Sequence, residues 1–338
     1  MLLRAQGWLR QWFRRWAGRR GRLLSPAGTG RLLWIRADAS RDSVLLGVEL
    51  ARALRERRQD VRIALTFQED HPELLRERLR GLERVGVGYG PADDARAVRR
   101  VLHRLAPSGV VIAGGGVPQR LVHALKTRSL PVLTVNTAGA SAQSPAAPEP
   151  DLLTLVTPAQ IDTTLRSALC PDGLLWWVQT DDAGWARACQ DAWRASALAE
   201  AGVLLIGSGR RAPALAGLPG LSEWTREAQP LGSVHGVDEV RWLPAVAASS
   251  AGVVLDRPER FVRWQVLAGG AAACTRSAPD AILETVGDAA GVVARWRAES
   301  GDALLRRSRG DAGRRAFWSE RRNAAAHVAL LLDEIYRW

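Results

Sequence analysis

Residues 32–54 read LLWIRADASRDSVLLGVELARAL, and the change of rhythm inside this stretch decides the fold. Leu32 to Ile35 is a short unbroken apolar run, the pattern of a strand buried on both faces. A polar loop follows from Arg36 to Asp42. Then Val44, Leu45, Val48, Leu50, Ala51 and Leu54 keep a helical period, with Arg52 to Arg58 as the solvated end. A buried strand handed by a short loop to an amphipathic helix is half of a βαβ unit, and its right-handed crossover makes the next strand parallel.

The same alternation continues outward. Val61–Thr66 reads as a strand, Pro72–Arg84 as a charged helix, Val85–Tyr89 as a strand and Asp93–Leu105 as a helix. Gly109–Ala113 is a further strand ending in Gly114, Gly115 and Gly116, followed by a helix over Val117–Thr127 and a strand over Pro131–Asn136. Residues 138–150 are rich in Ala, Ser and Pro and have almost no apolar period, so they read as a linker. Beyond them the pattern restarts with a strand at Leu174–Gln179, a helix from Asp182 to about Glu200 and a strand at Val203–Ile206. A helix near Asp238–Ala248, a strand at Gly252–Leu255 and a helix near Phe261–Leu267 complete it. The expectation is an α/β protein of two doubly wound, parallel-sheet, Rossmann-like domains facing a cleft, with ligands beyond the carboxyl ends of the strands. The boundaries are 1–24 for a basic amino-terminal helix, 25–137 for the first domain, 138–150 for the linker, and 151–338 for the second domain with its terminal helix.

Length and composition suit two cores. The chain has 338 residues, 47% hydrophobic and 24% charged, which are globular proportions and exclude disorder over most of its length. The net charge of +12 rests on arginine, since Lys126 is the single lysine. Cys170, Cys189 and Cys274 are too far apart for a zinc knuckle or a redox pair, so a reducing compartment is expected. The histidines are scattered singly, and neither a metal nor another cofactor is expected.

Charge is concentrated at the amino terminus. Trp8, Trp12 and Trp16 fall at four-residue steps with Leu9 and Phe13 beside them, opposite Arg10, Arg14, Arg15, Arg19 and Arg20. No apolar run is long enough to cross a bilayer, so a helix over residues 1–24 would lie in the interface, tryptophan at headgroup depth and arginine on anionic lipid. Arginine interrupts any core of a cleaved signal peptide. A nucleic-acid arm would need a stacking platform that the rest of the chain lacks, so no nucleic-acid partner is expected. Packing of the stripe on its own protein is the structural alternative to membrane contact.

Three places could carry chemistry. Asp38 and Asp42 stand in the first βα loop, where a carboxylate could take a proton from an attacking hydroxyl; capping of the following helix is the other role open to Asp42. Gly114–Gly116 either lets backbone approach a phosphate or makes a tight turn. Ser208, Gly209, Arg210 and Arg211 follow a strand and offer backbone donors with fixed positive charge, suited to a phosphate or to solvent.

The run Trp34-Ile35-Arg36-Ala37-Asp38-Ala39-Ser40-Arg41-Asp42 and the helix after it resemble the first motif of 3-deoxy-D-manno-octulosonic acid (Kdo) transferases. Residues 93–112, Leu130–Asn136, Trp177–Gly184, Gly207–Pro213 and Val237–Ala248 continue the likeness over nearly the whole chain. The resemblance implies a GT-B glycosyltransferase at the cytoplasmic face of the bacterial inner membrane, moving Kdo from CMP-Kdo to a lipid A precursor in lipopolysaccharide biosynthesis. It implies Asp42 as general base, Ser208–Arg211 on the donor phosphate, and the amino-terminal residues Trp8, Trp12, Phe13, Arg14, Arg15 and Trp16 on an anionic membrane surface. This chain departs from the family at three points. Asp42 stands for a glutamate and follows Arg41 instead of glycine. Ala113 and Gly114–Gly116 stand where the family has acidic residues. Phe261, Arg263, Trp264 and Gln265 replace a histidine-asparagine-glutamate motif. A catalytically degenerate relative serving as a membrane-associated binding or assembly component is the alternative these departures imply.

Overall fold

The computed structural model describes residues 15–69, 71, 74–75, 78–137, 149–157, 173–207, 222–223, 230–236, 243–276 and 282–338. The chain divides into two compact units, residues 1–156 with 323–338, and residues 157–322.

The first unit is a five-stranded parallel sheet in the order β3-β2-β1-β4-β5. Its strands are β1 (Leu32–Ala37), β2 (Arg62–Phe67), β3 (Val85–Tyr89), β4 (Gly109–Ala113) and β5 (Val132–Val135). β1 is central, pairing Trp34 with Ala64 on one side and with Val110 on the other. All six of its residues are buried, as the unbroken apolar run requires. The strand nevertheless extends two residues beyond Ile35, because pairing with β2 and β4 carries Arg36 and Ala37 into the sheet.

Helix α1 (Arg41–Arg57) covers one face, with Gly47 set against Ile35, Ala37 and Leu65. Helices α2 (Ala95–Leu105) and α3 (Gln119–Thr127) cover the other, where Val98, Leu102, Leu121 and Leu125 close over Leu32 and Trp34. Alternating residues of β1 therefore serve opposite layers. Of the charged helix expected over Pro72–Arg84, the described residues are helical at 74–75 and 78 and turn from 79 to 84 instead.

The amino-terminal expectation needs correction. Trp8, Trp12, Phe13 and Arg14 lie outside the described residues, while Arg15 and Trp16 lie in a helical stretch whose described part stops at residue 19, not 24. The stop is tertiary. The backbone of Arg19 accepts from Ala92 at 2.9 Å and that of Arg20 from the Arg100 guanidinium at 2.6 Å, and Gly21 turns with φ +70° against the backbone of Ala97. Trp16 is half-buried, with the Arg20 guanidinium 4.0 Å over its ring. Residues 15–26 thus pack along the β3 and α2 edge of their own unit.

The second unit is a seven-stranded parallel sheet in the order β12-β11-β10-β6-β7-β9-β8. It comprises β6 (Leu174–Gln179), β7 (Gly202–Ile206), β8 (Ser222–Glu223), β9 (Val234–Gly236), β10 (Ser250–Leu255), β11 (Ala272–Thr275) and β12 (Glu284–Thr285). Its helices include α5 (Ala183–Arg194), α6 (Leu243–Ser249), α7 (Arg260–Gly269) and α8 (Ala289–Gly301), after the short α4 (Leu153–Val156) of the first unit. Trp176, Trp185, Trp193 and Trp296 pack in one core, the rings of Trp176 and Trp296 stacked at 5.1 Å. α5 ends at Arg194 instead of running to Glu200, because Ser196 turns its hydroxyl back to the carbonyl of Trp193 at 2.7 Å.

The last helix, α9 (Ala303–Tyr336), differs most from the expected division. Its early turns belong to the second unit, where Arg309 pairs with buried Glu299 at 2.8 Å. From Asn323 onward it belongs to the first unit, where Arg31 donates to the carbonyl of Trp338 and the indole of Trp338 lies over Gly109. Residues 149–156, placed by sequence at the junction of linker and second domain, also fold with the first unit, since Asn136 is tied to Glu149, Pro150 and Leu152.

Candidate functional site

In an open parallel sheet the ligand crevice lies beyond the carboxyl ends of the strands, where connections diverge to opposite faces. In the first unit that point falls between β1 and β4. Ser40 caps α1, its hydroxyl accepting from Ser43 N–H at 3.2 Å, so the capping role open to Asp42 belongs to Ser40. Asp42 instead lies within the first turn, its residue exposure only 9%, where the helix dipole favours negative charge. Ser43 bridges the two strand ends: it accepts from Asp38 N–H at 2.6 Å and donates to the carbonyl of Ala113.

Across the crevice, Gly114 and Gly115 have φ of +64° and +63°, a conformation that disfavours a side chain. A Cβ on Gly115 would collide with the carboxylate of Asp38, which also accepts from Gly116 N–H at 3.2 Å. Of the two roles open to the glycines, the tight turn is the one described. Asp38 is the anchor of that turn.

Sequence reasoning passed over Arg36, which β1 parity places on the α2–α3 face under this crevice. Its residue exposure is 7%, and its Nη1 is buried with no hydrogen-bond partner among the described residues. Burial pulls its pKa below the ordinary arginine value, against the opposing pull of Asp38 and Asp93. By residue order Arg36 stood in the loop after Ile35, so nothing marked it as a buried charge until pairing carried it into β1.

On the outer face of the same unit, α2 and α3 frame a groove of about 550 Å³. Val98 and Leu102 form its floor; Arg99, Arg120, His123 and Arg128 line it as well. Neither helix carries a carboxylate.

In the second unit, Ser208, Gly209, Arg210 and Arg211 lie outside the described residues. The corresponding crevice between β6 and β10 holds a network that sequence did not signal. Asp256 accepts from the Thr180 hydroxyl at 2.8 Å and from Arg276 at 3.1 Å, and Arg276 also reaches Asp182 at 3.1 Å. The Arg276 guanidinium stands 4.4 Å from the centre of the Trp185 ring. Asp182 also caps α5, and the N–H of Trp185, followed by Arg276, holds its pKa below the usual carboxylate range. Among the described residues no cluster of His, Cys, Asp and Glu could hold a metal ion, and no helix is long and apolar enough to cross a membrane.

Two parallel-sheet α/β units in tandem define the GT-B class, and solved structures of that class match this chain along most of its length. The glycotransferase of kitacinnamycin matches with TM-score 0.59 and 11% identity, over 92% of this chain and 99% of that one. UDP-GlcNAc 2-epimerase from Neisseria meningitidis, bound to UDP-GlcNAc, gives 0.56 and 11% over 90% and 100%. MurG of Acinetobacter baumannii gives 0.51 and 13% over 90% and 100%. No curated protein sequence matches the chain. Residues 14–147 match the family model described as 3-Deoxy-D-manno-octulosonic-acid transferase (kdotransferase). That stretch, which contains the Asp42 crevice, is similar to the amino-terminal domain of the Kdo transferase family.

Proposed function

We propose that the chain is a glycosyltransferase that moves Kdo from CMP-Kdo to a hydroxyl of a lipid A precursor, as a peripheral protein at the cytoplasmic face of the inner membrane. The observation that carries this reading is the position of Asp42, a buried carboxylate in the first turn of α1, beside the β1–β4 crevice of a domain that matches the Kdo transferase family. As the acceptor oxygen attacks the anomeric carbon, Asp42 takes its proton and the bond to the CMP phosphate breaks with its electrons leaving on CMP. Arg210 and Arg211 would stabilise that departing phosphate.

A lipid acceptor is supported by the chemistry of the α2–α3 groove, apolar in its floor and cationic around it, which suits an anionic amphiphile. The aromatic, arginine-rich stretch over residues 8–14 would add to that contact. The alternative, a non-catalytic envelope component, is favoured by one feature: the loop after β4 is a glycine turn closed on Asp38, with no carboxylate of its own.

Incubation with CMP-Kdo and tetraacyl lipid A precursor tests the proposal through CMP release. Wild-type protein is expected to release CMP, and Asp42→Ala to lose about 100-fold or more in turnover, the scale of a general base. Absence of CMP release from the wild type leaves the non-catalytic reading. Removal of residues 1–14 is expected to reduce sedimentation with anionic vesicles; unchanged sedimentation assigns membrane contact elsewhere.

A further inference from the structure

Arg36 poses a physical problem that the transferase reading leaves unanswered. A buried guanidinium without a bonded counter-charge is costly, and folded proteins normally pair it. Two carboxylates act on it electrostatically, yet both are engaged with backbone. Asp38 accepts from Gly116 N–H at 3.2 Å. Asp93 accepts from Leu121 N–H at 3.1 Å and Arg120 N–H at 3.4 Å, fastening the start of α3. Both anions therefore hold the segment 116–121, while Nη1 of Arg36 has no hydrogen-bond partner among the described residues. The cation lies on the α2–α3 face at the diverging point of the sheet, beside the glycine turn closed on Asp38.

We infer that Arg36 is the cationic floor of an oxyanion-binding subsite in the β1–β4 crevice, taking a phosphate or carboxylate group through its planar fork. Its free guanidinium is held for a ligand, in the way that binding sites retain polar groups which the fold leaves unsatisfied. If the transferase reading holds, the ligand's group is an anionic substituent of the acceptor, and the inference rests on that reading for the physiological ligand alone. Binding is measured without turnover, so an inactive protein that still binds through Arg36 separates the two.

The test titrates the full chain with inorganic phosphate in one arm and acetate in the other, at constant ionic strength, by calorimetry and by thermal unfolding. It compares wild type with Arg36→Met, Arg36→Lys and, as a surface control in the second unit, Arg307→Gln. Wild type and Arg307→Gln are expected to bind phosphate or acetate alike and to unfold at higher temperature when either binds. Arg36→Met should weaken binding about tenfold or more, the loss of one charge-assisted hydrogen bond, and Arg36→Lys should also weaken it by losing the fork. Unliganded Arg36→Met should melt no lower than wild type, because it removes an unpaired buried charge while keeping apolar volume. The arm that responds tells phosphate from carboxylate. Equal binding by wild type and both Arg36 variants, response in neither arm, or an unliganded Arg36→Met that melts well below wild type would overturn the inference, the last by making Arg36 a structural residue.

Discussion

Ser43 shows how one side chain sets the geometry of the candidate site. It is 1% exposed and joins the backbone beyond β1 to the last carbonyl of β4. Ser43→Ala leaves both of those backbone groups without that partner, so a loss of about 1–3 kcal/mol is expected from denaturant midpoints. A variant as stable as wild type would show that solvent replaces both bonds. Asp42 and the first βα loop were legible as a site because a carboxylate at a strand end is a local pattern. Arg36 was not, because its isolation is a property of its neighbours: Asp38 and Asp93 are three-dimensional partners already engaged with residues 116–121.

At the scale of elements, the helix caps carry part of the charge logic. Asp182 accepts from Gly184 N–H at 2.9 Å and Trp185 N–H at 3.1 Å while pairing with Arg276. Its folded pKa is depressed below 3.8, so its stabilisation is present above that value and is lost as pH falls through the folded pKa. Asp182→Ala should cost about 1 kcal/mol at pH 7, as a lost cap does, and the gap from wild type should narrow below pH 3.8. A gap that is constant down to acid unfolding would assign the effect to helix propensity alone.

Long elements with a clear period, such as β1 and α1, were readable from residue order because burial on known faces dictates it. The two- and three-residue strands β8, β9 and β12 were not, since such short segments have no period and exist only by pairing with β7, β9 and β11. The halt of the amino-terminal helix at residue 19 was hidden for a related reason. Gly18 and Gly21 fit against Tyr89 and Ala97, far away in the chain.

For the molecule as a whole, the division into units does not follow chain order. Residues 323–338 bury Ala324, Leu332 and Ile335 and place Trp338 over Gly109 in the first unit. Truncation after Arg322 should therefore destabilise the first unit while sparing the second. Hydrogen exchange is expected to quicken in β1 and β4 and to stay slow in β6 and β10; the opposite pattern would place the tail's contribution in the second unit.

That return of the tail bears on how the protein is born. On the ribosome, every residue of the second unit emerges before the segment that finishes the first. The nascent first unit must wait through that interval with the floor of β4 uncovered, and its final closure comes only once translation has reached Trp338.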